Sequence, residues 1–466
     1  MTDATPGGGV HPDDGLVDLV VVGAEHLVVG PGEEIPGGWV AVRGGAVVEV
    51  GGPRETPPDA RRALRADGCL VTPGLVNTHH HMYQNLARAF APVAAVPFDE
   101  WLATLTPLWC RLDEEAVHSS AWVGLAELAL GGCTTTTDHL YIHPPSGGDL
   151  LSAEIAAAAD LGLRFHPTYG SMDITEANGG FAPDELGRDA DEILAASEAQ
   201  IARHHDGSAG SMLRVALAPA ATYLATEELL AGSAELAERV DVRLHTHLAY
   251  TDLEDERCAR DHGRSVLEHM EACGWGTDRA WIAHGTRLDE HGADQLARWG
   301  MCVAHCPSST MLAGGGMTPV HLLRARGVPV GLGCDGSAST DSASLWMEAR
   351  QALLVHRWLG GPESFAARDA LSLATTGGAA CLGREGEIGV LTPGAAGDLV
   401  CWKLDGPAFS GALTDPVEAW LRCGPVAAHH TVVAGAPVVE GGRLVHPDLE
   451  QRLGEHRRIA ARFQGE

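Results

Sequence analysis

The sequence predicts an α/β fold: a (β/α)8 TIM-type barrel with a small β-sandwich built from both chain ends. Three observations predict it. After Pro73, short apolar runs alternate with longer segments of helical period until about Leu382, and eight strands can be counted. Valine-rich runs punctuated by Gly and Pro flank this region on both sides. Histidines and one aspartate fall where five of the expected strands end. A doubly wound sheet is the alternative, but no comparable dinucleotide or phosphate loop accompanies the alternation.

The elements follow in order. Residues 1–15 are polar and read as disordered, with no apolar leader segment. From 16 to 72 come LVDLVVVGAEHLVV, GGWVAVRGGAVVEVG and ADGCLV, the first part of the sandwich, with a hairpin turn at Arg43-Gly44-Gly45. The barrel is expected over 73–384, opening with Leu75–Thr78. Its later strands are read at Thr134–Asp138, Arg164–Tyr169, Met212–Ala218, Val242–Leu248, Ala280–His284, Cys302–His305 and Val328–Cys334. Between them the helical segments are Ser119–Gly131, Leu150–Leu161, Asp184–His204, Thr226–Arg239, Ser265–Cys273, Asp289–Trp299 and Pro319–Arg326. Residues 385–448 return to β pattern, and Leu449–Phe463 reads as a charged surface helix within a 449–466 tail.

Composition narrows the function. The 62 acidic residues against 32 basic ones give a formal charge of −30, which repels phosphate backbones and anionic membranes. Neither a nucleic acid nor a membrane is therefore an expected partner, and no apolar run is long enough to span a bilayer. The 11 cysteines form no CxxC pair and read as reduced thiols of a cytoplasmic protein.

The chemistry centres on VTPGLVNTHHHMYQ, Val71 to Gln84. Side chains alternate along a strand, so His79 and His81 point one way and His80 the other. Two converging imidazoles can hold a divalent ion but need further ligands. Barrel sites lie where strands end at the C-terminal edge. Those ends offer His245 and His247 in LHTHLAY, His284 in WIAHG, His305 in VAHCPSS and Asp335 in VGLGCDGSAS. Two or three imidazoles with one carboxylate hold a metal and leave a position open for water, whose pKa falls towards ~7. A carboxylate beside it can move the proton to a leaving nitrogen.

PGLVNTHHH, HTHLAY, AHG, AHCPSS, GLGCDGSAS and the late TPGAAGDLV resemble the amidohydrolase superfamily, in its ATZ/TRZ branch of triazine hydrolases and nucleobase deaminases. Within that branch the segments NTHHHMYQ, Pro97 to Asp138 and GLGCDGSASTDSAS look most like deaminases of oxidised purines. The resemblance implies one Zn²⁺ per subunit, with Fe²⁺ or Mn²⁺ as alternatives, held by His79, His81, His247 and Asp335. It implies His284 beside the reactive water, Asp335 as general base, and a homodimer. His80, His245 and His305 are left to structural roles.

One position departs from the pattern. Deaminases of this branch carry HxxE after the fifth strand, and here Tyr250 stands at the glutamate position. A phenol, with a reference pKa near ~10, donates a hydrogen bond or stacks but is a poor proton shuttle at neutral pH. The expected reaction is therefore hydrolysis of an amide or exocyclic C–N bond of a small heteroaromatic substrate, with Tyr250 joining Asp335 and His284 as catalytic residues. Deamination of an oxidised purine, pterin or triazine is the alternative, with Asp252 or Glu254 replacing the missing acid. A non-enzymatic metal- or ligand-binding relative is the third reading. Substrate candidates on segments leading from strand ends are Tyr83, Gln84, Trp101, Tyr169 and Tyr223, with Trp109 beside them. Ser337 and Ser339 are candidates to orient Asp335 or its loop.

Overall fold

The barrel is closed by pairing its first and last strands. In the computed structural model, which describes residues 15–465 except 181, 413 and the side chain of 99, Leu75–Asn77 pairs in parallel with Cys133–Thr136 and with Val330–Leu332. The expectation of disorder before Gly15 lies outside the described residues. Around the ring follow Arg164–Phe165, Ala216–Pro219, Leu244–Leu248, Ala280–His284 and Cys302–His305. Every adjacent pair is parallel.

The second and third strand positions are each broken in two. Cys133–Thr136 continues as His139–Leu140, and Arg164–Phe165 continues as Thr168–Ser171, with like halves paired. Pro167 supplies one cause, because it has no N–H for the ladder. Asp138 supplies the other: its carboxylate accepts the Met82 N–H at 2.6 Å and so leaves the strand line. Counting each broken strand once gives the eight positions that the alternation predicts.

Helices start and stop where local chemistry permits. Asp149 caps Leu150–Leu161 at Ser152 N, and Gly162 (φ 74°) ends it in the left-handed region. The segment read as one helix over 184–204 splits, since a single turn Asp184–Leu186 precedes Asp189, which caps Ala190–His204. Helices Phe98–Trp109, Asp252–His262 and Leu345–Gly360 lie in segments where apolar periodicity predicts no helix.

Both chain ends share one sheet. Cys69–Pro73 lies parallel to His26–Gly30 and antiparallel to Leu399–Lys403, and Ala428–Val433 and Ala436–Glu440 extend that sheet. A second sheet holds Val17–Val22, Trp39–Arg43, Ala46–Gly51 and Ala60–Arg65. Its hairpin turns at Gly44 (φ 59°) and Gly45 (φ 79°), the backbone a two-residue primed turn requires. Leu19, Val21, Val40 and Val42 pack with Leu27, Val71, Leu399 and Cys401 between the layers. The chain then passes through Gly74 into the barrel. A Cβ there would lie 2.0 Å from Thr134 Oγ1. The last helix, Leu449–Gln464, does more than lie on the surface: Ile459 and Phe463 are buried in the cluster that holds Tyr83, Leu86 and Val117.

No described helix is long and apolar enough to cross a membrane, and the eleven cysteines are free thiols.

Candidate metal centre

The first strand delivers His79 and His81 to the C-terminal mouth of the barrel. His80 turns away, its Nδ1 accepting the His81 N–H at 2.8 Å. Beyond the eighth strand, Asp335–Gly336 pairs in parallel with His80–His81, and Asp335 N–H donates to His79 O at 2.9 Å. That short ladder places the aspartate beside the histidines.

Hydrogen bonds fix the tautomers. A ring nitrogen facing a backbone carbonyl must carry the proton. His245 Nδ1 donates to Trp281 O at 2.9 Å, so its Nε2 accepts from His79 Nδ1 at 2.8 Å. His81 Nδ1 donates to His139 O at 2.8 Å, and His247 Nδ1 to Ala220 O at 2.6 Å. The three Nε2 atoms are thus left as lone pairs. His81 Nε2 and His247 Nε2 face each other at 3.1 Å, and His79 Nε2 is buried with no partner. Asp335 Oδ1 lies 3.4 Å from His79 Nε2 and 3.5 Å from His81 Nε2.

Facing lone pairs need a cation. Tetrahedral bonds of about 2.0–2.1 Å place donor atoms about 3.3 Å apart, which these separations match. The residues fit a nitrogen- and oxygen-ligated metal such as zinc. Burial drives His79, His81 and His247 below the usual imidazole range, the neutral form that ligation needs. Burial works to raise Asp335, but the imidazoles of His79, His284 and His81 outweigh it, and the carboxyl stays well below its usual range.

Two further side chains finish the floor. Burial pushes His284 down to about 4, so it is neutral near pH 7, with Nε2 4.0 Å from Asp335 Oδ2. Tyr250 stacks on its ring at 4.1 Å and 24°. Ser309 Oγ donates to Asp335 Oδ2, and the Tyr250 hydroxyl lies within hydrogen-bonding reach of Ser309. Ala249 (φ 51°), His284 (φ 75°) and Asp335 (φ 60°) all hold left-handed backbone that non-glycine residues seldom adopt. Such strain costs about 1–3 kcal/mol per residue and gathers at functional sites.

Above this floor opens a cavity of about 290 Å³. Of the substrate candidates, Gln84, Trp101 and Tyr223 line it, as does Ser339. Tyr83 does not. It is fully buried behind the wall, edge-on to Tyr141 and Trp109, because the turn Met82–Ala87 carries it into the core. Tyr169 is also elsewhere: its place on Thr168–Ser171 directs it outward, where it stacks on His143 and its hydroxyl accepts from Arg188 at 3.0 Å. Neither Asp252 nor Glu254 reaches the cavity. Asp252 is exposed and pairs with Arg287 at 3.1 Å, whereas Glu254 is buried and accepts the Tyr250 N–H at 2.7 Å. Ser337 accepts from Arg88 at 3.3 Å instead of holding Asp335. His305 lies behind the site, 3.2 Å from His356.

Sequence reasoning passed over His139, Tyr141 and Phe98. His139 donates Nε2–H to Ala218 O at 3.1 Å, stacks on His247 at 4.8 Å, and leaves Nδ1 as a further buried lone pair in the cluster. Its signal was the one used elsewhere, a histidine at a strand end. Phe98 meets Tyr250 edge-on at 5.7 Å from a helix the apolar period did not reveal.

The chain matches the amidohydrolase family over residues 70–438. It is 41% identical to 8-oxoguanine deaminase of Pseudomonas aeruginosa over 425 residues, covering 91% of this chain and 94% of that one. It is 34% identical to hydroxydechloroatrazine ethylaminohydrolase of Pseudomonas sp. (strain ADP) over 455 residues, covering 94% and 93%. Its fold superposes on atrazine chlorohydrolase TrzN from Arthrobacter aurescens TC1, solved with zinc, with a TM-score of 0.91, 30% identity and coverage of 95% and 100%.

Proposed function

The chain belongs to the amidohydrolase family, and from that premise we propose that it removes an exocyclic amino group hydrolytically from a flat, oxo-substituted heteroaromatic ring. An oxidised purine is the first candidate class, followed by pterins and triazines. The observation that carries this reading is the set of three unprotonated Nε2 atoms beside an ionised Asp335, on the floor of a cavity walled by Phe98, Trp101 and Tyr250. Aromatic walls suit a planar ligand. Relatives named for aminohydrolase chemistry align over more than nine-tenths of the chain, which favours ring deamination over amide hydrolysis.

His79, His81, His247 and Asp335 would hold one zinc ion, and Fe²⁺ or Mn²⁺ suit the same donors. When bound, the ion supplies Lewis acidity that lets water act as a nucleophile near neutral pH. Asp335 takes the proton from the attacking water and returns it to the departing nitrogen. Neutral His284 hydrogen-bonds the oxygen being added to the ring carbon. Gln84, whose Oε1 accepts the Ala338 N–H at 3.2 Å, keeps its amide Nε2 for a ring carbonyl. Tyr250 covers one face of His284 and steadies Ser309, so it acts here as a positioning residue.

Product analysis tests this. Zinc-loaded protein is given aminopurines, oxidised aminopurines, pterins, aminotriazines and heteroaryl amides, and each is followed by mass spectrometry and ammonia release. Ammonia from an oxo-substituted ring is expected. Turnover of amides alone, or none with full metal loading, overturns the reading.

A further inference from the structure

We propose a second transition-metal site on the outer helical layer, formed by Glu227, His262 and His269. These residues come from three helices. Glu227 opens Glu227–Val240, His262 closes Asp252–His262, and His269 lies in Val266–Ala272. None of them lines the catalytic cavity.

The geometry repeats that of the first site. Nδ1 of His262 and Nδ1 of His269 each lie 3.5 Å from the same Glu227 Oε1. That is too long for a normal hydrogen bond, yet close to the ~3.3 Å between donors on one tetrahedral ion. The rings stack at 4.1 Å and 20°, which turns both Nδ1 atoms to one side. His269 is fully buried, and neither of its ring nitrogens has a hydrogen-bond partner. A buried polar atom without a partner is costly, and a cation between the two imidazoles and the carboxylate would satisfy it. Burial, together with the facing His262, lowers His269, which keeps it in the neutral, ligating form.

The donor set selects the ion. Two imidazoles and one carboxylate suit Zn²⁺, Ni²⁺ or Cu²⁺ rather than Mg²⁺ or Ca²⁺. Glu227 is 46% exposed and His262 28%, so metal enters from solvent and water completes the coordination. Arg264 Nη2 also donates to Glu227 Oε1, at 2.7 Å. An oxygen with two lone pairs serves both partners, but the guanidinium charge weakens the site. The ion would fasten the last residue of Asp252–His262, the helix that starts just after Tyr250, to the helices on either side.

Equilibrium dialysis of the full chain against Zn²⁺ alone, at fixed free concentration, tests this. Two equivalents per chain are expected for the wild type and one for His262→Gln and His269→Gln, with turnover retained. His262 is partly exposed, so its variant folds even if the buried His269→Gln does not. Arg264→Gln should bind the second equivalent several-fold more tightly. A crystal soaked in Zn²⁺ should show anomalous density between the three side chains. A single equivalent in the wild type, or both equivalents kept by His262→Gln, overturns the proposal.

Discussion

Ser309 is a further side chain that holds the Asp335 carboxyl low, beside the imidazoles of His79, His284 and His81. It donates to Oδ2, while Oδ1 faces the histidines. A hydrogen bond to the ionised form lowers a carboxyl pKa. Ser309→Ala removes it, so the pKa of Asp335 rises. Asp335 must be ionised to accept a proton, and the acid limb of kcat/KM therefore moves to higher pH. A hydrogen bond to a charged group is worth about 1.5–3 kcal/mol, so the acid limb should move by roughly one to two pH units, while kcat near neutral pH, where the carboxylate stays ionised, should change little. An unshifted acid limb would mean that another group sets the profile. Asp335→Asn goes further: both proton transfers pass through this carboxylate, and turnover should drop by about 10²–10⁴-fold in folded protein, as steady-state kinetics would read. Near-normal turnover would remove Asp335 from the mechanism. Motif and strand-end position pointed to His79, His81, His247, His284 and Asp335, which the fold brings together. Tyr83 and Tyr169 show the limit of that reasoning, because a one-residue difference in facing separates a cavity wall from the core.

At the scale of elements, helix Asp252–His262 explains what apolar periodicity could not reveal. Of its residues only Glu254 and Cys258 are buried, so no apolar stripe marks it. The readable signal was the T-x-x-E pattern at Thr251 and Glu254. Helix Phe98–Trp109 hid behind Pro97 and an internal Pro107. The carboxyl of Glu254 also has a consequence for stability. Burial raises it to about 7 from an ordinary value of 4.5, against the opposing N–H groups of Tyr250 and Thr251. Between those values the folded chain holds a proton that the unfolded chain has released. The associated stability is complete below pH 4.5 and is lost as pH rises through 7. Glu254→Gln keeps an acceptor for the Tyr250 N–H and removes the titration. Relative to wild type, the variant should gain on the order of a few kcal/mol between about pH 5 and about pH 8. Denaturant titrations at both pH values measure this; a constant difference would place the protonation elsewhere.

At the scale of the whole molecule, one buried ion pair joins barrel to sandwich. Arg164, at the start of the third barrel strand, meets Asp398 through Nε at 2.9 Å and Nη2 at 3.0 Å, with exposures of 0% and 1%. Asp398 Oδ1 also takes the Ala434 N–H at 2.7 Å, and its carbonyl takes the Gly74 N–H at 2.9 Å. A single residue of TPGAAGDLV thus touches the third strand, the C-terminal hairpin and the joint through which the chain enters the barrel. The sequence marked that segment as part of the sandwich but gave no sign of its partner, since Arg164 lies 234 positions away and no local pattern encodes such a contact. Asp398→Ala leaves a buried guanidinium uncompensated, with only the Gly210 and Ser211 carbonyls, each at 2.7 Å, to hold it. Breaking a buried pair in this way costs about 3–5 kcal/mol. Pairing Asp398→Ala with Arg164→Met removes the stranded charge and should recover part of the loss. Chemical denaturation would measure both, with kcat of the folded fraction unchanged because the pair lies away from the metal centre. If the single variant lost less than about 1 kcal/mol, water would be reaching the guanidinium, and this pair would not be what holds the two layers together.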